Sequence, residues 1–158
     1  MKKKVLLLSI CTAVILSMSS CALLRTPTIN VYESLDNYKY VYITSTSELV
    51  SGRGIYGASS TKSINPSDVI SGFLIKQGYI RLSELNPQLL DKTLIVNYGE
   101  SGRRNLNLGY SIEVTIQFLS AKTNKPVCVC TAEGQGDTEA DDIRIAINRA
   151  LTALFKFN

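Results

Sequence analysis

The sequence predicts an α+β domain, a two-layer sandwich in which two helices pack on one face of a mainly antiparallel sheet of about four to five strands. Three observations predict it. One helical pattern follows the first strand, a second closes the chain, and short turns join the later strands between them. Short turns require antiparallel pairing of the strands they connect. Two amphipathic helices on one face of such a sheet make a two-layer domain.

The first strand and the first helix follow from alternation and from capping signals. Residues 38–44 alternate tyrosines with other side chains, which indicates a strand. Residues 45–64 are rich in Ser, Thr and Gly and predict a long loop. A helix is then expected, because Asn65 can cap it, Pro66 suits its first turn and Gly78 can end it.

Most of the remaining chain predicts strands. Residues 79–82 and 93–98 predict two short ones, and residues 110–119 predict the longest. The apolar face of that longest strand consists of Ile112, Val114, Ile116 and Phe118. The turn at residues 123–126 leads into a partner strand at residues 127–133, which together predict a hairpin.

The last helix is predicted to begin after Thr138, which can cap it, with Asp141 at the reciprocal capping position. Its apolar face consists of Ile143, Ile147, Ala150 and Leu154.

The amino terminus predicts a signal peptide over residues 1–20. Three lysines precede an apolar run that is too short to span a bilayer comfortably. The segment Met18-Ser19-Ser20-Cys21 resembles a bacterial lipobox, which implies that a lipid is attached to Cys21. We expect residues 21–37 to be a lipidated cysteine and its tether, and residues 38–158 to form one domain. An uncleaved membrane anchor is the alternative.

Composition excludes several functions. The chain contains no His, which rules out Ser-His-Asp and Cys-His catalysis and zinc sites that use His. Cleavage before Cys21 would remove three lysines and lower the net charge from +4 to about +1, so nucleic-acid binding loses its support. The motif Gly52–Gly57 matches G-x-G-x-x-G, but the predicted helix starts about eight residues later. A glycine loop is therefore favoured over a nucleotide site, and we expect no cofactor.

The order of elements resembles that of small periplasmic lipoprotein domains, including the amino-terminal domain of the Tol-Pal propeller protein and the periplasmic domain of the curli secretion channel. The first strand around Asp36–Tyr42, the helix at 65–78 and the final hairpin with its helix carry the resemblance. It implies a lipid-anchored protein that faces the periplasm and binds another envelope protein. In the bacterial lipoproteins that this terminus resembles, an Asp directly after the lipidated Cys implies retention in the inner membrane. No acidic residue follows Cys21 directly, so the resemblance favours the outer membrane.

A charged loop is the first candidate for partner binding. Residues 99–105 are expected to form it, and its charged side chains are Glu100, Arg103 and Arg104. Strand polarity brings this loop to the end of the sheet that carries Glu133, Asp137 and Glu139. Two interpretations stay open: a charged rim that recognises a partner or an anionic group, or a surface cluster of ion pairs.

The tyrosine stripe Tyr38, Tyr40 and Tyr42 forms the second candidate, and Tyr40 and Tyr42 are the two residues expected to bind a partner. If Val41 and Ile43 face the helices, these rings lie on the other side of the sheet, where aromatic side chains suit partner contact. The alternative is that they simply cover a solvated face.

Two further clusters have simpler explanations. Cys128 and Cys130 share one face of a strand and are expected to be small buried side chains, with an intermolecular or redox role as the alternative. The carboxylates Glu139, Asp141 and Asp142 crowd a helix start, where anions stabilise the dipole.

The sequence thus predicts a non-catalytic adaptor domain without a metal or catalytic residues. The alternatives are a carrier of small molecules or lipids, and a hydrolase that uses these carboxylates or a Ser of residues 45–63.

Overall fold

The computed structural model describes residues 24–55, 58–106 and 109–157. Its strands and helices, in chain order, are β1 (Thr28–Val31), β2 (Tyr40–Ile43), β3 (Leu49–Ile55), β4 (Ala58–Ile64), α1 (Pro66–Lys76), β5 (Ile80–Leu82), β6 (Thr93–Leu106), β7 (Gly109–Ser120), β8 (Pro126–Gly134) and α2 (Glu139–Phe157). Within these ranges no helix is long and apolar enough to cross a membrane.

Six of the strands form one mixed sheet in the order β1-β8-β7-β6-β2-β5, and β3 pairs with β4 in a separate hairpin. The pairs β1–β8, β8–β7 and β7–β6 are antiparallel, whereas β2 is parallel to both β5 and β6. The α+β class is therefore confirmed, but the expected size of four to five strands is wrong. The β2–β5 pair is parallel because α1 carries the chain back before β5 begins, and the β2–β6 pair is parallel because the chain returns again between Leu82 and Thr93.

One core lies between the sheet and the helices. Helix α2 packs on β7 and β8, and α1 packs on β2, β5 and α2. The strand predicted to be the longest, β7, is in fact shorter than β6. Its alternating side chains are fully buried, as predicted: Ile112, Val114, Ile116 and Phe118. The predicted face of the last helix is also fully buried: Ile143, Ile147, Ala150 and Leu154.

The predicted helix caps are present. The Asn65 side chain accepts a hydrogen bond from the Ser67 amide at 3.1 Å, and Gly78 ends α1 with a φ of +92°. The Thr138 hydroxyl accepts from the Asp141 amide at 3.3 Å. It also donates to Asp141 Oδ2 at 3.0 Å, so Asp141 holds the capping hydroxyl rather than the Thr138 amide that a capping box would use.

The expectation of a tether through residue 37 is wrong. Thr28–Val31 pairs with β8 along its whole length. Leu35 lies in a 3₁₀ turn that follows, and it is fully buried. Residues 28–37 therefore belong to the folded domain, and they close the edge of the sheet at β8.

The expectation of a loop over residues 45–64 is also wrong, because β3 and β4 form an antiparallel hairpin there. This hairpin lies against the start of α2. Ser51 Oγ accepts from the Ala140 amide at 3.0 Å, and Lys62 Nζ lies 2.7 Å from Asp141 Oδ2. Ser51 thus satisfies an amide that the helix itself cannot pair.

Candidate functional site

The residues predicted as a charged loop are part of a strand. β6 runs on to Leu106 and pairs with β7 as far as Leu106↔Gly109, with a bulge between Glu100 and Gly102. β2 accompanies β6 only as far as Val96. The loop prediction for residues 99–105 is therefore wrong, and these residues form the outer strand of an extended arm of the sheet. They pair with β7, which pairs on its other side with β8 as far as Ile112↔Gly134.

Arg103 and Arg104 point to opposite faces of this arm, because successive side chains of a strand alternate. Arg103 pairs in register with the buried Ile112, so it lies on the helix side. Arg104 lies on the other side, the side of Glu133 in the neighbouring strands. The two arginines cannot act as one charged rim.

Arg104 forms a two-pronged ion pair with Glu133. Its Nε lies 2.8 Å from Oε1 and its Nη2 lies 2.6 Å from Oε2. The Arg25 amide donates to the same carboxylate at 3.0 Å. Only 2% of Glu133 is exposed, and the Arg104 hydrogen bonds hold its pKa well below the ordinary range, at about 2. Arg104 is therefore committed to an internal contact.

Arg103 is engaged on the helix side. Its guanidinium forms an ion pair with Glu139, at the start of α2, and lies 5.2 Å from the centre of the Tyr110 ring. The expectation that the two arginines meet Glu133 and Glu139 is confirmed. Glu100 accepts a hydrogen bond from the Tyr98 hydroxyl at 3.3 Å, on the same side as Arg103.

Tyr40 and Tyr42 lie on the face of the sheet that carries no helix. Val41 and Ile43 are buried on the helix side, as predicted, and the two rings alternate with them. The chain returns from β5 to β6 past β2. Because α1 packs on the helix side of β2, this return crosses the side of the tyrosines. Both rings are half-buried.

The two predicted candidates lie at opposite ends of the sheet. Tyr42 pairs with Ile95 in β6, and Arg104 follows nine positions later on the same strand. At about 3.3 Å per residue, with the bulge taken into account, the separation is about 25–30 Å.

The structure also holds two arginines that sequence reasoning missed. Arg149 of α2 donates to the main-chain carbonyls of Glu133 and, at 2.9 Å, of Arg25. Arg25 was assigned to the tether, where no pattern distinguished it. Together these contacts fix the main chain at Arg25 to the folded domain.

The three carboxylates at the start of α2 all make structural contacts. Glu139 pairs with Arg103 and Asp141 with Lys62. Asp142 is buried and accepts from the Gly136 amide, and burial raises its pKa.

Beside these carboxylates is a cleft of about 380 Å³, lined by Gly109, Tyr110, Gln135, Gly136, Asp137, Thr138, Glu139 and Asp142. None of the described lining residues belongs to residues 45–63.

Cys128 and Cys130 are buried free thiols in β8. Burial raises the pKa of Cys128 to about 12 and that of Cys130 still further. Cys21 and residues 1–20 lie outside the described residues, as do Tyr56 and Gly57 of the glycine motif. Gly52 and Gly54 lie in β3.

No family model matches the chain, and no curated protein matches it. Two solved structures are similar to it, namely the PelC dodecamer from Paraburkholderia phytofirmans and a single-residue variant of that dodecamer. Each is 12% identical and covers 81% of this chain and 96% of its own, with TM-scores of 0.44 and 0.48 respectively. These values are too low to transfer a function.

Proposed function

We propose that this chain is a lipid-anchored periplasmic adaptor domain that binds another protein of the bacterial envelope. Attachment at Cys21 and a position on the periplasmic side of the outer membrane are part of the proposal. The signal-peptide pattern of residues 1–20 supports them. The resemblance of the element order to envelope lipoprotein domains supports a binding role over a catalytic one.

One observation carries the binding role: an apolar strip on the helix-free face of the sheet. Strand register places Ile80 and Leu82 beside Tyr40 and Tyr42, with Ile95 on the far side of Tyr42. We call these five residues the tyrosine strip.

Part of this region faces solvent. Ile80 is 45% exposed, and Leu85, in the return toward β6, is 39% exposed. Apolar side chains with tyrosines among them are the composition that protein interfaces favour at their centres.

Arg103, Arg104 and Glu100 have a smaller part in this proposal. Arg104 is on the same face as the tyrosine strip but at the other end, and its charge is neutralised by Glu133. Arg103 and Glu100 lie on the opposite face of the arm. A partner that contacts the tyrosine strip would reach Arg104 only if its footprint extended along the whole sheet.

Crosslinking and affinity capture from intact envelopes test the binding surface. The variant Tyr40→Ala/Tyr42→Ala removes the two rings, and Asn97→Ala/Gln117→Ala is the matched control, since those side chains are a cross-strand pair on the same face. We expect the first variant to lose the partner and the control to keep it, with both variants folded by circular dichroism. Equal recovery of the same partner from both would exclude the tyrosine strip.

The anchor is tested separately by mass spectrometry of the membrane fraction. We expect a mature chain that begins with an acylated Cys21, and we expect Cys21→Ala to leave the membrane fraction. A mature chain that retains residues 1–20, or a variant with unchanged partition, would exclude lipid attachment at this residue.

A further inference from the structure

The folded domain binds the main chain at Arg25, close to the proposed anchor at Cys21. The Arg25 amide is bound to Glu133, and the Arg25 carbonyl is bound to Arg149 at 2.9 Å. The folded domain therefore holds the chain at Arg25 from both sides of the residue.

The length of chain between Cys21 and Arg25 limits how far the domain can lie from the membrane. Cys21 precedes Arg25 by four residues, and an extended chain spans at most about 3.6 Å per residue. A lipid on Cys21 can therefore lie no more than about 14 Å from the main chain at Arg25. A domain of this size has a radius of gyration of about 14 Å, so its far side cannot reach the same membrane.

The surface next to Arg25 is basic. A groove of about 320 Å³ runs between the amino-terminal segment and α2, and its described lining holds two cations and no carboxylate. We call it the anchor groove. Its lining residues are Pro27, Asn148, Arg149, Thr152, Ala153 and Lys156.

The charges around the anchor groove suit an anionic partner. Arg149 donates to main-chain carbonyls, which carry no net charge, so its positive charge is not neutralised by those contacts. Lys156 is exposed in the last turn of α2. The Arg25 side chain is 67% exposed, and its Nε lies 3.7 Å from Oε1 of Glu133, a carboxylate that it shares with Arg104, so the three groups together keep a positive charge.

We propose that the anchor groove is the membrane-facing surface of the domain, and that Arg25, Arg149 and Lys156 lie among the phosphate groups of an anionic phospholipid layer. This inference rests on the proposed lipid anchor, since the short link from Cys21 brings this surface to the bilayer. The tyrosine strip lies on the other side of the sheet from α2. It is therefore left accessible to another protein.

Lysine reactivity gives a direct test. Lys156 and Lys76 are each the basic residue in the last turn of a helix, and both are exposed. Lys76 lies in α1, which packs on β2, on β5 and on the side of α2 away from β1, whereas the anchor groove lies beside the segment that leads into β1. The full acylated protein is bound to vesicles of phosphatidylcholine with phosphatidylglycerol and treated with a water-soluble amine reagent. The same chain carrying Cys21→Ser, free in solution, is the reference.

We expect labelling of Lys156 to fall about fivefold on the vesicles, the change that corresponds to about 1 kcal/mol for a cation near an anionic surface. Labelling of Lys76 should change less than about twofold. Equal shielding of the two lysines, or stronger shielding of Lys76, would overturn the proposal.

A second measurement uses the residual affinity of the non-acylated chain for the same vesicles. On the Cys21→Ser background, Lys156→Gln should weaken binding about fivefold and Lys76→Gln by less than about twofold. Equal effects would overturn the proposed surface. Failure of the anchor itself is distinguishable, because the wild-type chain would then bind the vesicles no better than the Cys21→Ser chain.

Discussion

At the scale of single residues, the arginine pair shows how strand alternation decides which contacts are available. Strand polarity alone predicted that Arg103 and Arg104 lie near Glu133 and Glu139, and the structure confirms it. What sequence reasoning missed is that a strand, and not a loop, carries them, so they point apart. All seven residues 99–105 are polar or glycine, which is typical of loops, and β6 persists there because β7 pairs with it.

Glu133 makes stability depend on pH in the acid range. Its folded pKa, about 2, is lower than the ordinary value of about 4.5, so its contribution is present above about pH 4.5 and is lost as the pH falls toward 2. We expect the free energy of unfolding, measured with urea at a series of pH values, to fall across this window. The free energy of unfolding of the Glu133→Gln variant should fall less steeply with decreasing pH. A slope equal to that of the wild type would contradict the assignment of this pH dependence to Glu133.

The buried thiols should be inert in the folded protein. Because burial raises the pKa of Cys128 to about 12, the thiolate fraction near neutral pH falls on the order of a thousandfold below that of a free cysteine. Alkylation followed by mass spectrometry should label Cys128 and Cys130 slowly in buffer and fully in denaturant. Rapid labelling of the native chain would indicate that β8 opens, and it would revive a redox role.

At the scale of elements, a helix or strand could be predicted where local contacts stabilise it and was missed where long-range contacts do. The two helices were predictable because their caps and apolar faces can be recognised in a short stretch of sequence, as at Asn65 and Thr138. β3 and β4 were missed because they have few apolar side chains and no strong alternation, and β1 was missed because its alternation covers only four residues. Long-range contacts stabilise them, such as Ser51 with the Ala140 amide. Parallel pairing of β2 was missed for the same reason, since nothing local specifies it.

The contact between β8 and α2 depends on a glycine. A Cβ at Gly134 would lie 1.9 Å from the Asp142 carbonyl oxygen and 2.6 Å from the Ala146 nitrogen, both of them backbone atoms that cannot turn aside. Gly134→Ala should therefore lower the free energy of unfolding by about 3 kcal/mol or prevent folding.

Gly99→Ala is the matched control in a strand, because nothing lies within 4 Å of its added methyl group. We expect its free energy of unfolding to change by less than about 0.5 kcal/mol. Urea denaturation of the two purified variants gives the comparison. Similar stabilities for both would show that β8 and α2 can move apart at no cost.

At the scale of the whole molecule, the domain is completed by its amino-terminal segment. β1 covers the outer edge of β8, and Leu35 contributes a fully buried side chain to the core. The Arg25 amide donates a hydrogen bond to the carboxylate of the buried Glu133. A boundary at residue 38, as the sequence suggested, would remove all three contributions.

We therefore expect a chain that starts at Tyr38 to be much less stable than one that starts at Leu24. Loss of Leu35 alone should cost about 2–5 kcal/mol, and the exposed edge of β8 should promote aggregation. Urea denaturation and light scattering of the two chains measure these effects. Leu35→Ala in the longer chain isolates the core contribution, and Val50→Ala, at a residue that is 62% exposed, is the neutral control. Equal stability of the two chains would return residues 24–37 to the role of a tether.

The pairing of β1 with β8 also has a kinetic consequence. Arg25 and Glu133 are 108 positions apart, so the amino-terminal strand has no edge to join until the chain has been made as far as β8. Closing so large a loop is slow compared with forming local hairpins. The nascent chain thus stays open during synthesis. If the chain is exported as proposed above, this delay would keep it unfolded enough to pass through a narrow translocation channel. The pairing of β1 with β8 would then form in the periplasm.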